Sequence, residues 1–134
     1  MIFDDFINLI KDKKNTNRAT VIFLFGDLGA GKTTFTKNFC EYLKTDIDIQ
    51  SPTFVILKRY SFDNLGFKNL IHIDAYRLNS YKDLQKLKFE EYLNDQNNLI
   101  FIEWPELIND NDFEADINIY FEHIDKDNRK IEIR

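Results

Sequence analysis

Three of the chain's four glycines fall within six residues, in the run Gly26-Asp27-Leu28-Gly29-Ala30-Gly31-Lys32-Thr33. The spacing G-x-x-x-x-G-K-[ST] is that of a phosphate-binding loop. Glycines let successive backbone N–H groups converge on an anion, and a helix beginning at the loop adds the partial positive charge of its N-terminus. In that chemistry Lys32 neutralises the β- and γ-phosphates and the Thr33 hydroxyl ligates Mg²⁺. A nucleoside triphosphate is therefore the expected ligand.

Two further runs place a carboxylate directly after an apolar stretch: Leu70-Ile71-His72-Ile73-Asp74 and Leu99-Ile100-Phe101-Ile102-Glu103. An acid at a strand end beside a phosphate loop can hold Mg²⁺ or orient the attacking water. Mg²⁺ favours one or two carboxylates together with phosphates and water, so Asp74 and Glu103 are both candidates. Either could instead be a helix cap or a surface charge. Both prolines follow residues of interest, in Ser51-Pro52-Thr53-Phe54 and Glu103-Trp104-Pro105-Glu106. Proline biases its predecessor toward extended geometry, so Ser51 and Trp104 should hold defined conformations. Thr53 is a candidate switch residue sensing the γ-phosphate, and Trp104 a candidate for the nucleotide or partner surface. His72, on an alternating strand, reads as a satisfied core or edge histidine rather than a metal ligand, since no second histidine lies nearby and His123 is on the C-terminal hairpin. Asp63-Asn64-Leu65-Gly66 imitates a GTPase switch but reads as a hairpin turn. With no Asn-Lys-x-Asp to select guanine, ATP is favoured over GTP.

These residues need a frame. Thr20–Phe25 reads as a buried strand before the loop, and Phe35, Phe39, Tyr42 and Leu43 recur at helical spacing after it. Phe3, Phe6, Ile7 and Ile10 mark a short amphipathic helix, with Asp4 and Asp5 in its first turn and a polar loop from Lys11 to Asn17 behind it. Thr53–Phe62 and Phe67–Ile73 are expected strands joined by the Asp63–Gly66 turn. Ser80 and Asp83 resemble a capping box opening a helix through Leu84, Leu87 and Leu93. Leu99–Ile102 reads as an apolar strand. The tail alternates through Ile117, Ile119 and Phe121, turns at Asp125–Asn128 and returns through Ile131 and Ile133, a β-hairpin with one wet face.

Composition agrees with one domain over residues 1–134. Hydrophobic residues make up 43% of the sequence, aromatics 15%, and 13 residues are phenylalanine. A chain of this size buries roughly two thirds of its unfolded surface. Cys40 is the single cysteine, which rules out an internal disulfide and suits a structural thiol in a reducing compartment. The first residues are acidic where a secretory leader is basic, and no apolar run nears membrane-spanning length, so a cytoplasmic location without membrane contact is expected. The net charge of −5 disfavours direct binding to a polyanion.

Taken together, GDLGAGKTT (26–34), SPTF (51–54), HIDAYRL (72–78) and IEWPE (102–106) resemble the TsaE (YjeE) family, in order and over about residues 3 to 134. The resemblance implies an α/β, three-layer P-loop NTPase-type domain with a mostly parallel central sheet and the C-terminal hairpin. It implies ATP with Mg²⁺, and a part in forming N6-threonylcarbamoyladenosine at position 37 of tRNA, alongside the proteins TsaD and TsaB. tRNA would be reached only through that complex. By position, Gly29, Ala30, Gly31, Lys32, Thr33 and Thr34 would cradle the phosphates, and Thr33 and Glu103 would hold Mg²⁺. Asp74 would position metal or water, with Lys32 and Glu103 beside it in catalysis. Thr53 would act in the switch, and Arg77 and Trp104 would support the site or the partner surface. The chain departs from the family pattern at Lys58-Arg59-Tyr60, at Lys88 where a glycine often stands, and in a tail lacking the usual Leu-Pro. No arginine finger accompanies the loop, so hydrolysis should be slow alone and stimulated by partners. A small-molecule kinase with Asp74 as base, and a nucleotide-gated interaction module that needs no turnover, are the alternative readings.

Overall fold

The computed structural model describes residues 2–49, 56–110, 113–126 and 128–134. The motif SPTF, with the candidate switch Thr53, and the expected start of the second strand lie outside the described residues.

One six-stranded sheet organises the chain. Its strands are β1 (Thr20–Phe25), β2 (Leu57–Asn64), β3 (Phe67–Asp74), β4 (Asn98–Glu103), β5 (Ile117–His123) and β6 (Arg129–Ile133), in the order β2-β3-β4-β1-β5-β6. The inner pairs β3·β4, β4·β1 and β1·β5 are parallel, and the outer pairs β2·β3 and β5·β6 are antiparallel hairpins. Parallel strands buried on both faces read as continuous apolar runs, and β4 is buried at every position.

Side chains alternate between two cores. Ile22, Leu24, Leu99, Phe101, Ile117 and Ile119 face α1 (Ile2–Lys13) and α2 (Lys32–Tyr42), meeting Phe6, Ile10, Phe35 and Phe39. Val21, Phe23, Ile71, Ile73, Ile100 and Ile102 face the other way, against Leu84 of α3 (Tyr81–Gln85), Phe89 of α4 (Phe89–Leu93) and Ile108. That is the expected three-layer, mostly parallel arrangement. Cys40 is fully buried in the first core, and desolvation pushes its thiol up to about 11, so it packs rather than reacts.

Four local expectations change. α1 continues to Lys13, where the chain was read as a loop from Lys11. Lys11 and Lys13 in its last turn favour that extension by opposing the helix dipole. β2 runs into the expected turn and is closed by Leu65 and Gly66 alone, both at positive φ (53° and 83°), the two-residue geometry that matches strand twist. The single helix expected through Leu84–Leu93 is two short ones, because Lys88 lies at φ 62° in the left-handed region. The Ser80–Asp83 capping box does not form: Ser80 makes no side-chain cap. Asp83 accepts from the Asn79 N–H at 2.9 Å, and Asp110, distant in sequence, accepts from the Tyr81 N–H at 2.7 Å.

Candidate functional site

All of β1, β3 and β4 end on the same edge of the sheet. The phosphate loop leaves β1 there, and the registers Leu24↔Glu103 and Asp74↔Glu103 set the two acids side by side at the ends of β4 and β3. The crevice beyond the carboxyl ends of parallel strands is where such sheets take ligands. Here it is a cleft of about 350 Å³ whose lining includes Gly29 to Thr34, Asp74, Glu103 and Trp104.

The loop is glycine-dependent for two reasons. A Cβ at Gly26 (φ 159°) would stand 3.0 Å from both the Cβ and the carbonyl oxygen of Phe121 on β5. Gly31 caps α2 at φ 100°, a backbone state that side chains resist, and a Cβ there would fill space against the Arg129 guanidinium. The loop thus has no room for side chains at Gly26 and Gly31.

Lys32 opens α2 and is 5% exposed. Its ammonium donates to the carbonyls of Gly26 and Asp27, so it lies folded across the loop. Burial lowers its pKa, and the carboxylates of Glu103, Glu106, Asp74 and Asp27 oppose that shift. The ring of Trp104 flanks it, with the ammonium 3.8 Å from the ring centroid. Tyr76 extends this wall, its ring 5.1 Å from that of Trp104.

Glu103 is only 3% exposed, and one of its oxygens, Oε2, receives two groups. Thr33 donates its hydroxyl to it at 2.7 Å, and Nε2 of His72 lies 2.6 Å away. A carboxylate can only accept, so Nε2 carries the proton. His72 is thus a satisfied core histidine, as its strand position suggested, and its partner is the central acid. The signal was present in the sequence: His72 precedes Asp74 by two residues on one strand, which puts both on the same face. Asp74 accepts from the Tyr76 N–H at 3.1 Å, and desolvation raises its pKa.

Trp104 differs from expectation in backbone. It is not extended before Pro105 but left-handed, at φ 59° and ψ 46°. The chain must turn there: the Ala75 N–H holds the Glu103 carbonyl at 3.0 Å, and the Leu107 N–H closes a 3₁₀ turn onto the Trp104 carbonyl at 3.1 Å. Strain of this kind persists where surrounding contacts over-determine it. Arg77 stays exposed and outside the cleft lining. Two residues of the C-terminal hairpin reach the loop unannounced by any motif. His123 donates from Nε2 to the Gly29 carbonyl at 2.8 Å, and Arg129 lines the cleft.

The donor set suits Mg²⁺ accompanied by phosphate. Thr33 and Glu103 already meet, Asp74 is adjacent in register, and hydroxyl plus carboxylate oxygens are the hard ligands this ion takes. Among the described residues, no group of three or more His, Cys, Asp or Glu could hold a metal unaided. No helix among the described residues is long and apolar enough to cross a membrane.

The family model described as "Threonylcarbamoyl adenosine biosynthesis protein TsaE" matches residues 4–131. The chain is 34% identical over 121 residues to the tRNA threonylcarbamoyladenosine biosynthesis protein TsaE of Haemophilus influenzae, covering 90% of this chain and 73% of that protein. It is 39% identical over 111 residues to the TsaE of Bacillus subtilis, covering 83% of this chain and 66% of that one. With the TsaE of Rickettsia conorii it shares 44% identity over 89 residues, about half (48%) of that protein's length. Among solved structures, Bacillus subtilis YdiB superposes with a TM-score of 0.64 at 31% identity, covering 96% of this chain and 77% of that one.

Proposed function

This chain belongs to the TsaE family of P-loop proteins, and from that premise we propose that it is a Mg²⁺-dependent ATPase serving N6-threonylcarbamoyladenosine formation in tRNA. The observation that carries the reading is the meeting of Thr33 and Glu103, 2.7 Å apart, at the mouth of a glycine-built anion cradle. Hydroxyl and carboxylate meet in the cleft that the phosphate loop lines, and that is the arrangement phosphoryl chemistry requires.

The residues divide the work. Backbone amides from Gly29 to Thr34 hold the phosphate chain, and the buried Lys32 ammonium swings from the loop carbonyls to neutralise it. Thr33 and Glu103 hold Mg²⁺, and His72 keeps Glu103 oriented from behind. When bound there, Mg²⁺ would supply positive charge to offset the negative charge that develops on the phosphate. Asp74 takes the water side of the site, where a carboxyl with a raised pKa is suited to orient a water and accept its proton. Trp104 and Tyr76 shield Lys32 from bulk solvent and so strengthen its pull on phosphate.

Partners complete the reading. The protein acts with TsaD and TsaB, and tRNA is engaged through that assembly, since a chain of net charge −5 is a poor ligand for a polyanion. The deciding experiment reconstitutes modification of unmodified tRNA with TsaD and TsaB, with and without this protein and ATP. Omission of the protein, or a hydrolysis-dead Glu103→Gln variant, should halt repeated turnover. Full modification without it would refute the role. Full modification by a variant that binds but does not hydrolyse ATP would make it a nucleotide-gated module instead. In the same assays, phosphate appearing on a small-molecule acceptor rather than in solution would identify a kinase.

A further inference from the structure

The β5–β6 hairpin does more than close the sheet edge. His123 and Arg129 are direct cross-strand partners at its turn end, and paired residues of an antiparallel ladder project to one face. That face meets the phosphate loop. His123 ties to the Gly29 carbonyl at 2.8 Å, and the guanidinium of Arg129 lies over Gly31, with Cζ 3.2 Å from where a Cβ would stand.

The position is electrostatically unusual. Gly31 is the N-cap of α2, the positive end of its dipole. Cations are repelled there, and among the described residues Arg129 has no carboxylate partner to offset the repulsion. Lys32 already lies beside the same point. Lys32 has carboxylates about it, but the Arg129 guanidinium stands at a helix N-terminus without an ion-pair partner among the described residues, and an arriving anion would supply one. Arginine suits that task because its planar fork can bind two phosphate oxygens at once.

We propose that Arg129 is a second phosphate-binding cation of the nucleotide site, delivered in cis by the C-terminal hairpin and held in register by the His123–Gly29 hydrogen bond. The inference rests on the ATP-binding reading above and adds to it a residue that lies outside every sequence motif. It also supplies within the chain a charge that the sequence left to a partner.

The test compares Arg129→Ala, Arg129→Gln and Arg129→Lys with the wild-type protein. Affinity for a non-hydrolysable ATP analogue is measured by calorimetry, and affinity for inorganic triphosphate by competition against that analogue. Removing the guanidinium should weaken both ligands by about ten-fold or more, the scale of one charge-assisted contact, equivalent to ~1.4 kcal/mol. The lysine variant should fall between, keeping charge but not the fork. Circular dichroism checks the fold, and should the alanine variant not fold, the glutamine and lysine variants decide. Unchanged affinities would overturn the proposal. So would a loss confined to the ATP analogue and spared with triphosphate, which would put Arg129 on the base or ribose. Failure of the wild-type protein to bind either ligand would instead refute the ATP reading itself.

Discussion

The ammonium of Lys32 sits 3.8 Å from the centroid of the Trp104 ring, and Trp104 is the only tryptophan in the chain. The residue proposed to meet phosphate is thus in contact with the only tryptophan, whose emission reports its surroundings. Adding ATP and Mg²⁺ should shift tryptophan fluorescence in intensity or wavelength, saturating with the binding isotherm. Lys32→Ala should alter the starting emission, lower nucleotide affinity about ten-fold or more, and shrink the ATP-dependent change. A flat signal while calorimetry shows binding would mean that Lys32 keeps its contact with the ring.

Glu103→Gln and Asp74→Asn should damage hydrolysis more than binding. In the proposed assignment backbone amides supply most of the phosphate affinity, whereas these carboxylates act on metal and water. A fall in kcat of about 10²-fold with Kd changed by less than about ten-fold is expected for each. Unchanged kcat in both variants would return the acids to a structural role.

Asp74 also carries a stability consequence. Its folded-state pKa is raised, first by desolvation, so the folded protein holds that proton more tightly than the unfolded chain. Stability contributed by the neutral form is therefore lost as pH rises from the ordinary aspartate value, about 3.9, through the raised one. Asp74→Asn keeps an acceptor for the Tyr76 N–H and removes the charge. In metal-free buffer the variant should melt higher than wild type near neutral pH, and the gap should close in acid. Equal melting temperatures at pH 7 would contradict this.

Lys88 breaks α3 from α4 at φ 62°. A non-glycine residue in that region costs roughly 1–2 kcal/mol, and glycine returns part of the gain through unfolded-state entropy. Lys88→Gly should stabilise the protein by about 0.5–1 kcal/mol in denaturant titration. Lys88→Val should destabilise it, because β-branching is least tolerated there.

The isolated protein should bind tRNA weakly. Non-specific affinity comes from phosphate neutralisation, and the chain carries 18 basic against 23 acidic residues. Tight, steeply salt-dependent binding in a filter assay would contradict the assignment of tRNA contact to the partners.

What could be read in advance follows a physical divide. β1, the phosphate loop, α2 and β4 are specified by local runs and spacings, and they stand where those patterns put them. The hairpin from Ile117 to Ile133 was legible for the same reason, since alternation survives when one face is wet. Lys88 carried no local signal, because lysine is a good helix former; the family's frequent glycine at that position was the pointer to its left-handed state. Asp110 capping α3 and Arg129 reaching Gly31 are products of tertiary proximity alone. His72 lies between these cases: its place on a strand indicated a satisfied histidine, but not the diagonal reach across to Glu103.

The pairing of β1 with β5 has a consequence for assembly in time. The strand that launches the phosphate loop is central, yet its side-chain and backbone supports come from far along the chain. The Val21 N–H is held by Asp116, 95 positions away, and the Gly29 carbonyl by His123, 94 positions away. A chain emerging from the ribosome therefore presents a glycine loop with nothing beneath it until nearly all of the sheet has been synthesised. Closing such distant ends costs entropy before any contact repays it, which slows folding. A ligand of that loop would therefore reward the finished sheet more than it could help to build it.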